Sequence, residues 1–203
     1  MSKALKVLFA AGFLLTLGGC QSSMMTKSDQ TDLKPVGDQA EIVFLRPSLL
    51  GGAIQSTVYK VDADQMGQQF IGVVSSKTKV AYTVAPGDYL FMVIAENADF
   101  MDAHLEAGKT YYALVSPRIG VWKARFSLLP IHNDPAAKYS TQSSDFTDWQ
   151  SSTTLVESLP QAQHWYAEHK GWVDNKRVDY LKKWNARSAE DKADLVLHKQ
   201  DGN

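Results

Sequence analysis

Residues 79–94, KVAYTVAPGDYLFMVI, decide the fold class of this chain. In the first half, apolar Val80, Tyr82 and Val84 alternate with residues that face the other way, which is the pattern of a half-buried strand. Pro86 presets a turn, and the glycine after it accepts a positive φ. Apolar residues resume after Asp88, at Tyr89. The stretch therefore predicts two strands joined by a tight turn.

Similar β-rich runs and turn signals extend on both sides of this stretch. Residues 42–45 have the compact apolar character of a buried strand, which ends at Pro47 because proline cannot donate to a β-ladder. Further β-rich runs occupy residues 58–61, 70–74, 104–105, 110–115 and 122–128. About seven short strands predict a mainly β fold, an antiparallel β-sandwich over residues 40–132. The connections are too short for crossover helices, which argues against a parallel α/β sheet.

The C-terminal third has a different character. Residues 133–157 are rich in Ser, Thr, Asp and Pro without a periodic pattern, so we interpret them as a linker. Residues 158–203 are predicted to be a helical C-terminal segment, in which Gly171 ends one helix and Asp174 caps the next. Four of the five tryptophans lie after residue 148, and a disordered tail avoids such residues. We expect this segment to pack on the β domain of its own chain or, alternatively, on a partner.

The N-terminus has the form of a secretory signal. Two lysines precede an apolar run at 7–15, which is too short to span a bilayer but suits the core of a signal peptide. Small residues then lead to Cys20, which stands where a bacterial lipobox has its lipidated cysteine. We expect residues 1–19 to be a lipoprotein signal peptide and 20–39 to be a flexible tether lipidated on Cys20. The alternative is a cytosolic protein with an apolar first helix.

Location and partners follow from the anchor and the charge. Gln21, rather than Asp, follows the cysteine, which by resemblance to Gram-negative lipoproteins favours the periplasmic face of the outer membrane. Loss of Lys3 and Lys6 lowers the basic residues from 21 to 19 against 22 acidic ones, a balance of −3. With no basic stripe either, the surface does not favour nucleic acid as a partner. Cys20 is the only cysteine, which excludes an intrachain disulfide and a cysteine-type zinc site.

Three motifs of the β region resemble a known family. They are FLRP at 44–47 with a Gly51-Gly52 loop, the APGDY turn at 85–89, and LEAGKTYY at 105–112. Together they resemble a family of bacterial lipoproteins with a small β-sandwich and no assigned function, over residues 40–131. The resemblance implies a fold and a compartment but no catalytic residues. The chain departs from the family at 62–67, DADQMG, where the family often has Asp-Gly.

The sequence contains no recognisable catalytic or metal-ligating constellation. His164 and His169 would lie about 140° apart on a helix and so do not share a metal-binding face, and the other three histidines are scattered. A Gly-x-Ser-x-Gly motif and a phosphate-binding glycine loop are absent. Asp62 and Asp64 could ligate calcium, but a solvated loop explains them better. We predict no metal, no cofactor and no enzymatic activity.

Tyr112, Arg118 and Trp122 form the candidate surface for a ligand or partner. Tyr111 and Tyr112 face opposite sides of their strand, so one belongs to the core and the other can stand on the surface near an arginine. An exposed aromatic ring beside arginine suits a sugar, a peptide or a partner protein. The alternative is a packed sandwich rim with a satisfied tyrosine hydroxyl.

These observations predict a membrane-anchored envelope lipoprotein that acts as a non-catalytic structural or interaction module. It would be held in the membrane through lipid on Cys20, and its partner would be an envelope protein or peptidoglycan. The alternative is a periplasmic binding module for cell-wall glycan or another small ligand. An enzyme comes third, since it would need a cleft with convergent titratable groups.

Overall fold

The structure is a computed structural model that describes residues 24–30, 32–118 and 125–203. Two β-sheets pack face to face, and helical segments cover their outer faces. The six-stranded sheet contains, in spatial order, β1 (Met25–Lys27), β10 (Thr154–Ser158), β5 (Thr78–Val84), β2 (Ala40–Arg46), β8 (Thr110–Arg118) and β9 (Arg125–Ile131). The five-stranded sheet contains β11 (Val196–Leu197), β7 (Ala98–Leu105), β6 (Gly87–Ile94), β3 (Ser56–Val61) and β4 (Gln68–Val74). The helices are α1 (Ser144–Ser152), α2 (Pro160–Asn185) and α3 (Ala189–Ala193), followed by a 3₁₀ turn at Lys199–Asp201.

The prediction of a mainly β fold is confirmed, but two of its details are wrong. The described residues form eleven strands rather than about seven, and both sheets are mixed rather than antiparallel throughout. The parallel pairs are β2 with β8, β10 with β5, and β11 with β7. Between β2 and β8 the chain forms five strands, of which β3, β4, β6 and β7 belong to the five-stranded sheet. These strands bring the chain back so that β8 runs parallel to β2 without a crossover helix. Short connections therefore do not exclude parallel pairs, since paired strands need not be consecutive.

The stretch at 79–94 forms two strands as predicted, but these strands do not pair with each other. Strand β5 lies between β10 and β2, whereas β6 lies between β7 and β3. The turn at Pro86 is thus a corner between the sheets, and Gly87 adopts a φ of 154° there. Because the chain changes sheet at such corners, the two sheets share one core.

Strand β2 lies at the centre of the molecule, and all seven of its residues are buried. On its inner face Phe44 packs against Phe91 of the five-stranded sheet, with ring centroids 5.4 Å apart. On its outer face Val43 and Leu45 belong to a second apolar cluster beneath α1. A strand covered on both faces needs apolar residues on both, which explains the continuous run at 42–45.

The range 133–157, interpreted above as a linker, contains α1 and all but the last residue of β10. Strand β10 pairs with β1 and β5 inside the six-stranded sheet. Tyr139, Phe146 and Trp149 pack half-buried on the outer face of that sheet. These rings are separated by polar residues, so the segment contributes to the fold without showing an apolar period.

The C-terminal segment packs on the β domain of its own chain. Helix α2 crosses the outer face of the five-stranded sheet. Its Tyr166 ring stacks on Phe70 with centroids 5.4 Å apart, and its Trp184 ring lies 5.9 Å from that of Phe100. The two contacts lie near opposite ends of the helix, so α2 is attached to the sheet along its length.

Helix α2 is one helix of 26 residues rather than the two predicted. Gly171 lies inside it and does not end it, because one glycine costs a helix only about 1 kcal/mol and the docked aromatic rings hold both halves on the sheet. Asp174 does not cap a second helix either. Its carboxylate accepts hydrogen bonds from Lys170 at 2.8 Å and from Gln68 at 3.0 Å.

The described part of the predicted tether is bonded to the rest of the fold. Strand β1 pairs antiparallel with β10, where Met25 lies opposite Ser158. The Met25 side chain is buried in the main core. Farther along, the Thr110 hydroxyl donates a hydrogen bond to the Leu33 carbonyl at 2.8 Å. Among the described residues, the folded body therefore begins at Met25.

Candidate functional site: a cationic cavity beside Arg118

A cavity of about 180 Å³ lies at the end of the sandwich where β8 ends and β9 begins. We call it the Arg118 cavity. Its lining comes from the start of β7, the facing ends of β8 and β9, and the C-terminal end of α2: Asn97, Ala98, Asp99, Phe100, Arg118, Arg125, Tyr180, Lys183, Trp184 and Arg187. Four of these side chains are cationic at neutral pH and one is a carboxylate, so the cavity has an excess of positive charge.

The sheet itself places two of the arginines side by side. Arg118 and Arg125 are directly opposite partners at the end of the β8–β9 pair. Like charges in that position destabilise a sheet. The facing sheet supplies a partial compensation, because Asp99 Oδ2 lies 3.7 Å from Arg118 Nη2.

Asp99 is the buried carboxylate of the cavity, and its side chain is 9 % exposed. Its Oδ1 lies 3.9 Å from Arg187 Nη2, and its Oδ2 accepts the Leu128 N–H at 3.3 Å. Burial raises the pKa of Asp99, and the positive charges of Arg118 and Arg187 oppose this rise. The Asp99 carboxylate is thus shared by two arginines, and neither guanidinium lies within hydrogen-bond distance of it.

Asn97 joins the two sheets at the wall of the cavity. Its Nδ2 donates to the Phe126 carbonyl at 2.9 Å, and its Oδ1 accepts the Phe126 N–H at 2.8 Å. A side-chain amide can replace a strand neighbour in this way because it carries the same donor and acceptor as the backbone. Both bonds are buried, so Asn97 holds the start of β7 at a fixed distance from β9.

The end of α2 supplies the remaining cations and two aromatic rings. The Arg187 guanidinium lies over the Trp184 ring, 5.3 Å from its centroid, and the Lys183 ammonium lies 4.8 Å from the centroid of Tyr180. Cations near a helix C-terminus also interact favourably with its unpaired carbonyl groups. Among the described residues Lys183 has no carboxylate within ion-pair distance, and its side chain is exposed.

Arg46 is a further cation that lies deeper in the molecule, outside the lining of the cavity and against the Phe126 ring. It is fully buried, and its guanidinium lies 4.4 Å from the centroid of the Phe126 ring. Its Nη1 and Nη2 donate to the carbonyl groups of Ile54 and Gly51, each at 2.6 Å. Burial lowers the pKa of Arg46 to about 10, which leaves it charged at neutral pH. The charge of Arg46 therefore adds to the positive potential at this end of the sandwich.

The structure does not bring Tyr112 and Arg118 together. Tyr112 lies half-buried beneath α1, with its ring 4.9 Å from that of Phe146. Arg118 follows six residues later on β8, about 20 Å away at the usual rise of a strand. Tyr111 is the core member of the tyrosine pair, and its hydroxyl donates to the Lys199 carbonyl at 3.2 Å. Only Arg118 of these residues contributes to the cavity.

Two predicted site residues, Cys20 and Trp122, lie outside the described residues. The lipidation of Cys20 and the role of Trp122 stay predictions. Over the ranges that the structure covers, none of the helices combines the length and the apolar character that a membrane crossing requires.

Three histidines that are scattered in the sequence form one row in the structure. The ring of His198 lies between those of His104 and His132, with centroids 6.4 Å and 6.1 Å away. Asp88 Oδ1 lies 2.6 Å from His104 Nδ1 at one end, and Asp201 Oδ2 lies 2.9 Å from His132 Nδ1 at the other. Within the described ranges no group of three or more His, Cys, Asp or Glu is arranged to hold a metal ion.

Sequence reasoning identified Arg118 and missed the rest of the cavity. Asp99 lies within a strand, and Lys183 and Arg187 belong to the helical C-terminal segment, so no local pattern relates them. The one available signal was Arg125, which belongs to the alternating run at 122–128 and could have been placed opposite Arg118 as its hairpin partner.

Comparison with known proteins provides little further information. No family model matches the chain, and no curated protein matches it. A solved NMR structure of a protein from Eubacterium rectale is similar over 50 % of this chain and 92 % of that chain, with 10 % sequence identity and a TM-score of 0.32. A likeness at this level supports no argument about the fold or the function.

Proposed function

We propose that this chain is a lipid-anchored protein of the cell envelope whose folded body is a non-catalytic structural or interaction module. One observation carries the proposal: the chain enters the six-stranded sheet at Met25, only five residues after Cys20. Five residues span at most about 18 Å when fully extended. Lipid on Cys20 would therefore hold the folded body at the membrane surface, within reach of other envelope proteins. The resemblance of residues 40–131 to β-sandwich lipoproteins supports the same compartment.

The anchor is tested with two adjacent substitutions. Cys20→Ala should abolish labelling by radioactive palmitate and release the protein from the membrane fraction, because no other cysteine can take the lipid. Gln21→Asp should keep the label but move the protein from the outer to the inner membrane. Equal labelling of the wild type and Cys20→Ala would refute the anchor.

The interaction role is tested by chemical crosslinking of intact cells, followed by purification of the full chain from detergent-solubilised membranes. We expect one or a few envelope proteins to be recovered with the wild type and lost with Cys20→Ala, since the anchor places the body beside them. Recovery of no partner in any growth state would count against an interaction module.

A second candidate function is a periplasmic binding module for cell-wall glycan or another small ligand. The observation that favours it is the Arg118 cavity, where several cations and aromatic rings converge on one small space. Sedimentation with purified peptidoglycan tests it: the wild type should sediment, and Arg118→Gln should sediment less. Lys182→Gln is the control, because Lys182 is an exposed cation of α2 outside the lining.

A further inference from the structure

We propose that the Arg118 cavity is a binding site for an oxyanion, a carboxylate or phosphate group carried by the ligand. This inference rests on the second candidate function, because it names the chemistry that such a binding module would recognise. Its basis is the charge of the lining, the state of the arginine donors and the size of the cavity.

The charge of the lining is not balanced within the cavity. Arg118, Arg125, Lys183 and Arg187 carry four positive charges, and Asp99 carries the single negative one. Arg118, Arg125 and Lys183 are exposed, so water screens part of their mutual repulsion. An anion that enters the cavity would nevertheless be attracted by all four cations, and Asp99 is the one carboxylate of the lining that opposes it.

The arginine donors of the cavity are largely unused. Arg118 donates one long hydrogen bond, to the Phe126 carbonyl at 3.4 Å. Both Arg118 and Arg187 stay beyond hydrogen-bond distance of Asp99, at 3.7 Å and 3.9 Å. Among the described residues no hydrogen bond is donated by Arg125. Guanidinium groups with free N–H donors match the geometry of carboxylate and phosphate, which they bind with two parallel hydrogen bonds.

The size of the cavity limits the ligand to one small group. Its volume of about 180 Å³ is close to that of an engineered cavity of about 150 Å³ that binds benzene. A carboxylate or phosphate with its first attached atoms fits this space, whereas a whole disaccharide does not. The cavity therefore holds the anionic group of a ligand whose remainder lies outside.

Two of the residues that line the cavity are held in place by buried contacts. Asn97 joins the two sheets through two buried hydrogen bonds to Phe126, and Trp184 is 3 % exposed. These contacts fix the wall of the cavity, whereas the exposed arginine and lysine donors would lose side-chain freedom when they bind the ion.

Calorimetric titration of the full chain in detergent, at low ionic strength, tests the inference with inorganic phosphate and acetate as separate probes. We expect at least one of them to bind, and chloride at the same concentration to compete weakly. Lys183→Gln should reduce the affinity by about tenfold, the effect of one lost charged hydrogen bond. Lys182→Gln, the same charge change one residue away, should leave the affinity within about twofold of the wild type.

Asp99→Asn tests the charge of the site in the opposite direction, because it removes a negative charge from the cavity and not a positive one. It keeps the shape of the side chain and removes the one competing carboxylate, so phosphate should bind more tightly. If Asp99→Asn fails to fold, Arg125→Gln remains as a test, because Arg125 is exposed and should lose affinity without loss of stability. Tighter binding by Arg125→Gln would overturn the inference.

The results separate this inference from the function on which it rests. If phosphate or acetate binds but the protein does not sediment with peptidoglycan, the anion site is supported and the glycan-binding function is rejected. If the protein sediments with peptidoglycan but binds neither phosphate nor acetate, the glycan-binding function is supported and the anion site is rejected. Equal losses in Lys183→Gln and Lys182→Gln would also overturn it, since they would show a general charge effect.

Discussion

Asp201 holds three hydrogen-bond donors around one buried carboxylate. The N–H groups of His198 and Asn133 donate to it at 2.7 Å and 3.1 Å, and His132 Nδ1 lies 2.9 Å away. The hydrogen bond with Asp201 is the main cause of the raised pKa of His132. Burial by itself would raise the pKa of Asp201, but these hydrogen bonds outweigh it and the pKa is lowered.

The pair makes stability depend on pH. The contribution of His132 is complete below its unfolded pKa of about 6.5 and is lost as the pH rises through its raised folded value. The contribution of Asp201 is present above about pH 4 and is lost as the pH falls through its lowered folded value. We expect His132→Gln to reduce the free energy of unfolding by about 1 kcal/mol at pH 5.5, and by less at pH 8.

Urea unfolding at both pH values measures this effect. His164→Gln is the control, because His164 and its neighbour Glu168 are both exposed. The same loss at pH 5.5 and pH 8 for His132→Gln would contradict the assignment.

Two glycines should respond to alanine with opposite signs. A Cβ on Gly202 would lie 2.6 Å from Tyr111 Cζ and 2.7 Å from Lys109 Cβ, whereas a Cβ on Gly171 meets nothing within 4 Å. We expect Gly202→Ala to destabilise by about 1–3 kcal/mol through overpacking and Gly171→Ala to stabilise the helix by about 0.5–1 kcal/mol. Chemical denaturation of both variants measures the difference, and a shift of the same sign in both would be inconsistent with these packing environments.

At the scale of elements, α2 is held on the sheet by a small number of apolar, aromatic and hydrogen-bonded contacts. Its mean character is polar, and only five of its 26 residues are buried: Ala162, Val173, Arg177, Leu181 and Trp184. Arg177 belongs to this face because its guanidinium donates to the carbonyl groups of Gln65 and Met66 and to the Gln68 side chain. The helix is therefore stabilised by docking on β4 and β7 more than by its own composition.

Two tryptophans on α2 allow a matched test of that docking. Trp184 is 3 % exposed and packs on Phe100, whereas Trp172 is 44 % exposed. We expect Trp184→Ala to cost about 3–5 kcal/mol because it leaves a cavity in the core, and Trp172→Ala to stay within about 1 kcal/mol of the wild type. Guanidinium unfolding distinguishes them. Similar losses for both would mean that α2 is not held by the Trp184 contact.

At the scale of the whole molecule, the main core joins elements from every part of the chain. It contains Met25 from β1, Phe44 from β2, Phe91 from β6, Trp184 from α2 and Leu197 from β11. The sheets and α2 therefore depend on one another for burial.

A shared core predicts one cooperative unfolding transition. The helical signal in circular dichroism and the tryptophan fluorescence should change at the same temperature, because α2 cannot lose its contacts without exposing Phe70 and Phe100. Thermal unfolding followed by both signals is the measurement. Loss of the helical signal well before the fluorescence change would show that the C-terminal segment is a separate unit.

The sequence by itself determined the local features of this protein. The alternation at 79–84, the corner at Pro86 and the apolar run at 42–45 each depend on neighbours in the chain, so strands were predicted there correctly. The tryptophan-rich C-terminal end likewise indicated packing.

Only the tertiary structure decided which strands are neighbours and which charges meet. Strand β8 runs parallel to β2, β10 enters the sheet beside β5, and a linker-like segment with three aromatic rings covers the outer face. Asp99 meets Arg187, and His104, His198 and His132 form a row, although nothing in their sequence surroundings relates them. The physical reason is that periodicity reports how a residue faces its own element, whereas a binding site depends on how distant elements are packed together.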